Sequence, residues 1–296
     1  MTLTSVVTGP STGGLGFHVA LELARRGDRV VLAGRTPDRL ADAAAAISSE
    51  LPHAVVERLV VDLADLDSVR SAAGRAADLG PLHLLVNNAG VMATPYTRTR
   101  EGFDLQMATN HWGPFLLTGL LLPQLVADGD GRVVTVSSQM HRIARHAPLQ
   151  DPRSKPRRYS RWTAYGQTKL ANLLFTYELE HRLVTAGLPV RALAAHPGLA
   201  GTHLVVNGRF GRPSGGLASI LDAAVKAVSQ SAAEGARSVL MAATDDLPGG
   251  TYVGPSGLHE GRGAPAVVGS TALARDPEIA GRLWDLSERT VGLRYP

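Results

Sequence analysis

The sequence predicts an α/β protein: a doubly wound, parallel sheet of about seven strands with helices on both faces. Two observations lead there. Short β-branched runs recur at Leu3–Thr8, Arg29–Ala33, Val55–Val61, Leu82–Asn87, Arg132–Ser137 and Val190–Ala195. Between them lie Ala-, Leu- and Arg-rich stretches with helical spacing, at Gly14–Arg26, Asp38–Glu50, Leu66–Asp78, Gly102–Ala127 and Thr163–Arg182. Strands this apolar, interleaved this regularly with helices, suit a parallel sheet buried on both faces. No internal repeat or low-complexity linker interrupts the chain, so one domain over residues 1–296 is expected.

Bulk properties narrow the class. At 44% hydrophobic and 19% charged residues the chain has the balance of a globular protein with a large core. It has no cysteine, which excludes disulfides, thiol nucleophiles and thiolate metal sites; no metal site is expected. The first residues enter a short apolar strand directly, without a signal-peptide pattern, and no apolar run is long enough to span a membrane. A cytoplasmic protein is the expectation. The net charge of +4 is modest, and no nucleic-acid partner is expected.

The first strand runs into Thr8–Gly16, TGPSTGGLG, and then into an amphipathic helix. Glycines at such a place let the backbone turn sharply and approach a pyrophosphate, which the helix N-terminus meets with its N–H groups. Gly9, Ser11, Thr12, Gly14, Leu15 and Gly16 are the candidate binding residues. At the end of the second strand stands Arg35, where a dinucleotide-binding fold that takes NAD places an acid for the ribose hydroxyls. A cation there suits a 2′-phosphate and favours NADP(H) over NAD(H); the plainer alternative is a solvated arginine. Asp62 and Leu63 follow the third strand, where a carboxylate could read an adenine amino group. Asn88, Ala89 and Gly90, at the end of the fourth, are small enough for a cofactor to lie against the backbone.

The Thr163–Arg182 helix carries Tyr165 and Lys169 four residues apart, on one face. An ammonium beside a phenol favours the phenolate, and moving a phenol from its ordinary pKa to near neutrality takes about 4 kcal/mol. A phenol tuned this way can exchange a proton with a carbonyl or an alcohol. Tyrosine and lysine at this spacing also occur on many helices as a packed ring and a solvated amine, so the pair gains weight only from its company.

That company is the Thr8–Gly16 turn, Asn87-Asn88-Ala89-Gly90, Asn110, Val136-Ser137-Ser138, Tyr165-Gly166-Gln167-Thr168-Lys169 and His196-Pro197-Gly198. With these motifs in this order, the chain resembles the short-chain dehydrogenase/reductase superfamily over nearly its whole length. Glu101–Pro123 and Tyr165–Leu179 are similar to its retinol-dehydrogenase-like and WW-domain-oxidoreductase-like branch. The resemblance implies a single Rossmann-type domain with Tyr165 as proton donor or acceptor. It gives Lys169 the roles of lowering the tyrosine pKa and holding the nicotinamide ribose, and Ser138 that of hydrogen-bonding the substrate oxygen, with Ser137 turned toward the sheet. Asn110 would position a water leading from Lys169 to solvent, and Pro197, Gly198 and Thr202 would line the nicotinamide. It also implies subunit contacts through the long helix and the one before it, hence a homodimer or homotetramer.

Two departures stand out. Pro10, Ser11, Thr12 and Gly13 are one residue more than the family has in its phosphate turn, either altering the grip or absorbed as a bulge. The insertion at 139–164 is long and basic, with Arg142, Arg145, Arg153, Lys155, Arg157, Arg158 and Arg161 against Asp151. It is either a solvated loop or a cationic rim for an acidic substrate or carrier surface. Beyond His196, a substrate-loop region at about 199–230 is expected, mobile at Asn207–Gly216, followed by helices at Leu217–Val228 and Ala232–Ala243. A last edge strand is expected at Gly249–Pro255 and a packed helix at Asp276–Thr290. The function expected is hydride transfer between NADP(H) and a carbonyl or alcohol of a fairly apolar small molecule. The alternatives are NADPH-dependent carbon–carbon double-bond reduction, as in protochlorophyllide reductases, and a non-catalytic protein that senses NADP(H).

Overall fold

The computed structural model describes residues 2–198 and 230–296. Thr202, the Asn207–Gly216 stretch and the Leu217–Val228 helix lie outside the described residues. Among the described residues, seven strands run parallel: β1 (Thr4–Thr8), β2 (Arg29–Gly34), β3 (Val56–Val60), β4 (Leu84–Asn87), β5 (Gly131–Val136), β6 (Val190–Ala195) and β7 (Tyr252–Pro255). An eighth, β8 (Pro265–Val267), pairs antiparallel with β7, so the sheet order is β3-β2-β1-β4-β5-β6-β7-β8. The expectation of a last edge strand at Gly249–Pro255 is therefore corrected: β7 is fully buried, and β8 takes the edge. Its short sequence begins with a proline, which lacks a backbone donor, and edge strands tolerate that.

The strand pattern explains the layering. Neighbouring residues in each central strand enter opposite cores: Val6, Val31, Leu85 and Val133 one, Val7, Leu32, Val86 and Val134 the other. The second core is covered by α1 (Leu15–Arg25), α2 (Pro37–Glu50) and, among the described residues, α6 (Ala232–Thr244). The first is covered by α3 (Leu66–Ala76), α4 (Gly113–Asp128), α5 (Arg161–Thr185) and α7 (Pro277–Val291). The expected Gly102–Ala127 helix starts later, with a short turn at Leu105–Met107 and a π-helical turn at Ala108–Trp112 leading into α4. A π-turn widens the helix locally and re-aims one side chain, here Asn110.

The chain's C-terminus closes the first core. Trp284 on α7 stacks on Phe175 of α5 and meets Phe115 of α4 edge-on, and the Arg182 guanidinium lies 4.6 Å from its ring centre. Tyr295 packs on Trp284 and its hydroxyl donates to the Phe115 carbonyl. The α4–α5 surface expected to meet another subunit is thus partly occupied by the chain's own α7. Part of the basic insertion is also packed: Arg142 pairs with Glu260, and the Arg153 guanidinium covers Phe103. Lys155, Arg157 and Arg158 are exposed. No helix among the described residues is long and apolar enough to cross a membrane.

Two outcomes follow from this packing. Trp284→Ala should lower the unfolding free energy by about 3–5 kcal/mol in urea titrations, whereas Val184→Ala, at an exposed position, should change it by less than about 0.5 kcal/mol. Burial pushes His111 and His196 down to about 3, so both are neutral in the folded chain. Between about pH 6.5 and 3 the unfolded chain binds a proton at each that the folded chain does not. Stability should fall as pH is lowered through that window, by up to about 1.4 kcal/mol per pH unit for each histidine. Urea titrations at pH 7 and pH 5 check this, with His111→Gln expected to flatten the slope.

Candidate active site

The crevice between β1 and β4, where the strand order reverses, is where an open α/β sheet receives ligands. Hydrogen bonds lock its floor. The Thr8 hydroxyl accepts from the N–H groups of Asn88 and Ala89 and donates to the Val86 carbonyl, while the Asn88 amide donates to the carbonyls of Thr8 and Gly9. A Cβ at Gly16 would lie 2.4 Å from that amide, so glycine is what lets α1 approach it. The additional residue in the turn is absorbed: Gly14 N–H closes on the Ser11 carbonyl at 2.8 Å, with Gly13 at φ 71°. Ser11 and Thr12 are exposed, and α1 begins at Gly14 without a side-chain cap. Leu15 is buried in the core and offers a ligand only its backbone.

Arg35 and Asp62 stand together at the ends of β2 and β3, 4.0 Å apart, with two-thirds (67%) of the Arg35 side chain exposed. Asp62 accepts from the Ala64 N–H, and its own N–H donates to Ser68, which fixes the turn. Leu63 has its side chain buried in the core, and its carbonyl packs so closely on Gly113 that a Cβ there would lie 2.1 Å away.

The reactive groups converge where β5 ends against α5. Ser160 caps the start of α5. Gly166 allows the turn at Gln139–Ile143 to press on the helix, since a Cβ there would lie 2.8 Å from the Met140 carbonyl. The Ser138 hydroxyl, just before that turn, lies near enough to the Tyr165 phenol to favour its ionised form. Ser137, its neighbour on the other side of the strand, donates instead to the Lys169 carbonyl at 2.8 Å. The Lys169 ammonium donates to the Val136 carbonyl at 2.9 Å and lies 5.6 Å from the Tyr165 ring centre. Asn172, one turn on, donates to the same carbonyl at 3.1 Å, an anchor not singled out by sequence.

Burial sets the electrostatics of Tyr165 and Lys169. Both groups are buried, and burial dominates each: it pushes the phenol up to about 12, opposed by the nearby Ser138 hydroxyl, and the ammonium down to about 8. The protein alone therefore holds the phenol protonated.

Asn110 holds Val91 on both sides, accepting from its N–H at 2.8 Å and donating to its carbonyl at 2.9 Å, and reaches Thr168 of α5 at 3.0 Å. Gly90 sits between Asn110 and Lys169, and a Cβ there would lie 3.1 Å from the amide oxygen and 3.7 Å from the ammonium. After β6, Gly198 N–H donates to His196 Nδ1 at 3.1 Å, which folds the Pro197–Gly198 turn back on the strand end. The structure thus gathers Ser138, Tyr165, Lys169 and Asn110 into one cluster. Gly9, Ser11, Thr12, Asn88, Ala89 and Gly90 line its approach, with Arg35 and Asp62 at the ends of β2 and β3. Glu260, hydrogen-bonded to His196, was missed because nothing near it in sequence resembles a site motif.

Known proteins resemble this chain along its length. The family model described as short chain dehydrogenase matches residues 4–148. Human retinol dehydrogenase 13 is 38% identical over 99% of this chain and 86% of its own length. A crystal structure of an uncharacterised protein from Mycobacterium paratuberculosis is 42% identical, with a TM-score of 0.80 over 99% of this chain and 95% of that one. A structure described as an NAD(P)-dependent gluconate 5-dehydrogenase from Beutenbergia cavernae, with bound NADP, is 26% identical, with a TM-score of 0.58 over 76% of this chain and 81% of that one. With that likeness running the length of the chain, the protein belongs to the short-chain dehydrogenase family, in its retinol-dehydrogenase-like branch.

Proposed function

We propose that the protein is an NADP(H)-dependent oxidoreductase that interconverts a carbonyl and an alcohol on a fairly apolar small molecule, with Tyr165 as general acid and base. One observation carries this reading: Ser138 at the end of β5 lies near the Tyr165 phenol on α5, and the buried Lys169 ammonium, anchored on the Val136 carbonyl, lies 5.6 Å from the Tyr165 ring centre. The residues present suit the dinucleotide. The exposed Ser11–Thr12 turn and the uncapped start of α1 suit its pyrophosphate, and the exposed Arg35 guanidinium suits a 2′-phosphate. When bound, NADP(H) supplies or accepts the hydride.

The chain's own residues do the rest. The Ser138 hydroxyl holds the substrate oxygen against the Tyr165 phenol. A phenol kept protonated by burial is ready to donate to a carbonyl; for alcohol oxidation the proton must first leave, which the Lys169 ammonium favours when charged. Asn110 fixes the wall behind Lys169, where a water could carry protons to solvent. Ile143 and Trp162, both large, apolar and exposed, flank Tyr165 through the Gly166 contact and the first turn of α5. They suit an apolar substrate, as does the branch, whose relatives are named for retinol. Assembly as a homodimer or homotetramer through α4 and α5 would have to accommodate α7.

Tyr165→Phe should reduce NADPH-dependent turnover of ketones by at least about a hundredfold while leaving NADPH binding intact. A spectrophotometric ketone and enone screen checks it. Enone double-bond reduction that survives in the variant would favour the alkene reductase, and bound but unconsumed NADPH in both proteins would favour the sensor. Arg35→Asp should weaken NADPH binding by about tenfold or more and leave NADH binding little changed, since only the former carries the 2′-phosphate. Fluorescence titration of both dinucleotides measures the difference.

A further inference from the structure

The loop joining β7 to β8 curls back over the end of β6. Gly261 packs on the Pro197–Gly198 turn, and a Cβ at Gly198 would lie 2.5 Å from the Gly261 carbonyl oxygen. Two successive non-glycine residues in this loop, His259 at φ 51° and Glu260 at φ 52°, occupy the left-handed region. Such a conformation is strained for a residue with a Cβ and persists only where the surroundings over-determine it.

The surroundings act on the Glu260 carboxylate. One oxygen accepts from Gln139 Nε2 at 2.9 Å and meets His196 Nε2 at 3.1 Å, and the other accepts from the Arg142 guanidinium at 3.0 Å. Gln139 and Arg142 belong to the turn that follows Ser138, and His196 opens the Pro197–Gly198 turn. His196 is fully buried, and burial keeps its ring neutral, with one N–H. Because Gly198 N–H donates to Nδ1, the proton must sit on Nε2 and point at Glu260. Glu260 therefore selects the tautomer that lets the ring hold Gly198. The ring itself fits only because β7 carries Gly254 opposite it, where a Cβ would lie 2.0 Å from Nε2.

We propose that Glu260 is a positioning residue for the nicotinamide end of the site: one carboxylate ties the turn carrying Ser138 to the Pro197–Gly198 turn and sets the gap between them. This rests on the NADP(H) reading above. The adenosine end, at Arg35 and Asp62, lies at the ends of β2 and β3 and shares none of these contacts.

The test compares Glu260→Gly, Glu260→Ala and Glu260→Gln with the unchanged protein. NADPH and adenosine 2′,5′-bisphosphate are each titrated by calorimetry, with thermal melting and ketone kinetics alongside. Glu260→Gly removes the carboxylate and relieves the left-handed backbone, so it should melt no lower than Glu260→Ala. Both should nevertheless lose about tenfold in NADPH affinity, the worth of one charge-assisted hydrogen bond, and keep their affinity for the bisphosphate within about twofold. The kcat for ketones should fall more than KM rises. Glu260→Gln, whose amide oxygen still accepts from His196, should recover most of the loss. Equal losses for both ligands, or no loss of NADPH affinity, would overturn the proposal. If the unchanged protein bound the bisphosphate but not NADPH, or neither, the NADP(H) reading would fail and take this role with it.

Discussion

An ammonium group is buried beneath the sheet's C-terminal edge, held by a backbone carbonyl, and much of the site follows from accommodating it. Lys169 has only 4% of its surface exposed, and its hydrogen bond to Val136 ties α5 to the last residue of β5. Asn172 shares that carbonyl, and Ser137 returns a hydrogen bond to the Lys169 carbonyl, so helix and strand end are sewn together from both sides. A buried charge this poorly solvated is costly unless paired. The fold bears that cost at the place where a cation beside a phenol is useful, as expected where stability is traded for function.

The same burial explains why the acid–base poise could not be read from spacing. Four residues on a helix place Tyr165 and Lys169 on one face, and that much the structure bears out. How far burial offsets the attraction of the lysine depends on contacts that exist only once the chain is folded. Those contacts are remote in sequence. Much else was legible. The strands alternate between two apolar cores, so their positions stand out as β-branched runs. Ser137 and Ser138 were harder to tell apart, and the hydrogen bond from Ser137 to the Lys169 carbonyl separates them. The strand missed, Pro265–Val267, is three residues long, partly exposed and opened by a proline, and carries almost no pattern to detect.

Contacts that set close approach were legible as glycine but not as partner. Gly16 and Gly166 are visible in sequence within motifs, yet what they admit, the Asn88 amide and the Met140 carbonyl, can be named only once the chain is folded. Gly254 belongs to no motif. Its absent Cβ makes the space for the His196 ring, and through that ring it acts on the Pro197–Gly198 turn. A substitution there would disturb the far side of the site without touching a reacting group.

The two ends of the cleft are thus built by different means. A pyrophosphate can be met by backbone N–H groups at a single strand-to-helix turn, so its receptor is local and its signature is compact: Thr8 to Gly16, braced by Asn88. The reacting end has to bring a hydroxyl, a phenol, an ammonium and a wall for the nicotinamide to one point from α5 and the ends of β4, β5 and β6. Fixing groups on separate strands within hydrogen-bond reach requires cross-links between the turns that follow those strands. Asn110 supplies one between the β4 turn and α5, and Glu260 supplies another between the β5 and β6 turns. Each lies outside the turns it joins, Asn110 on a π-turn and Glu260 on strained backbone, because a cross-link must approach from a third element. The irregular segments of this chain therefore stand where regular strands and helices alone could not bring the reacting groups together.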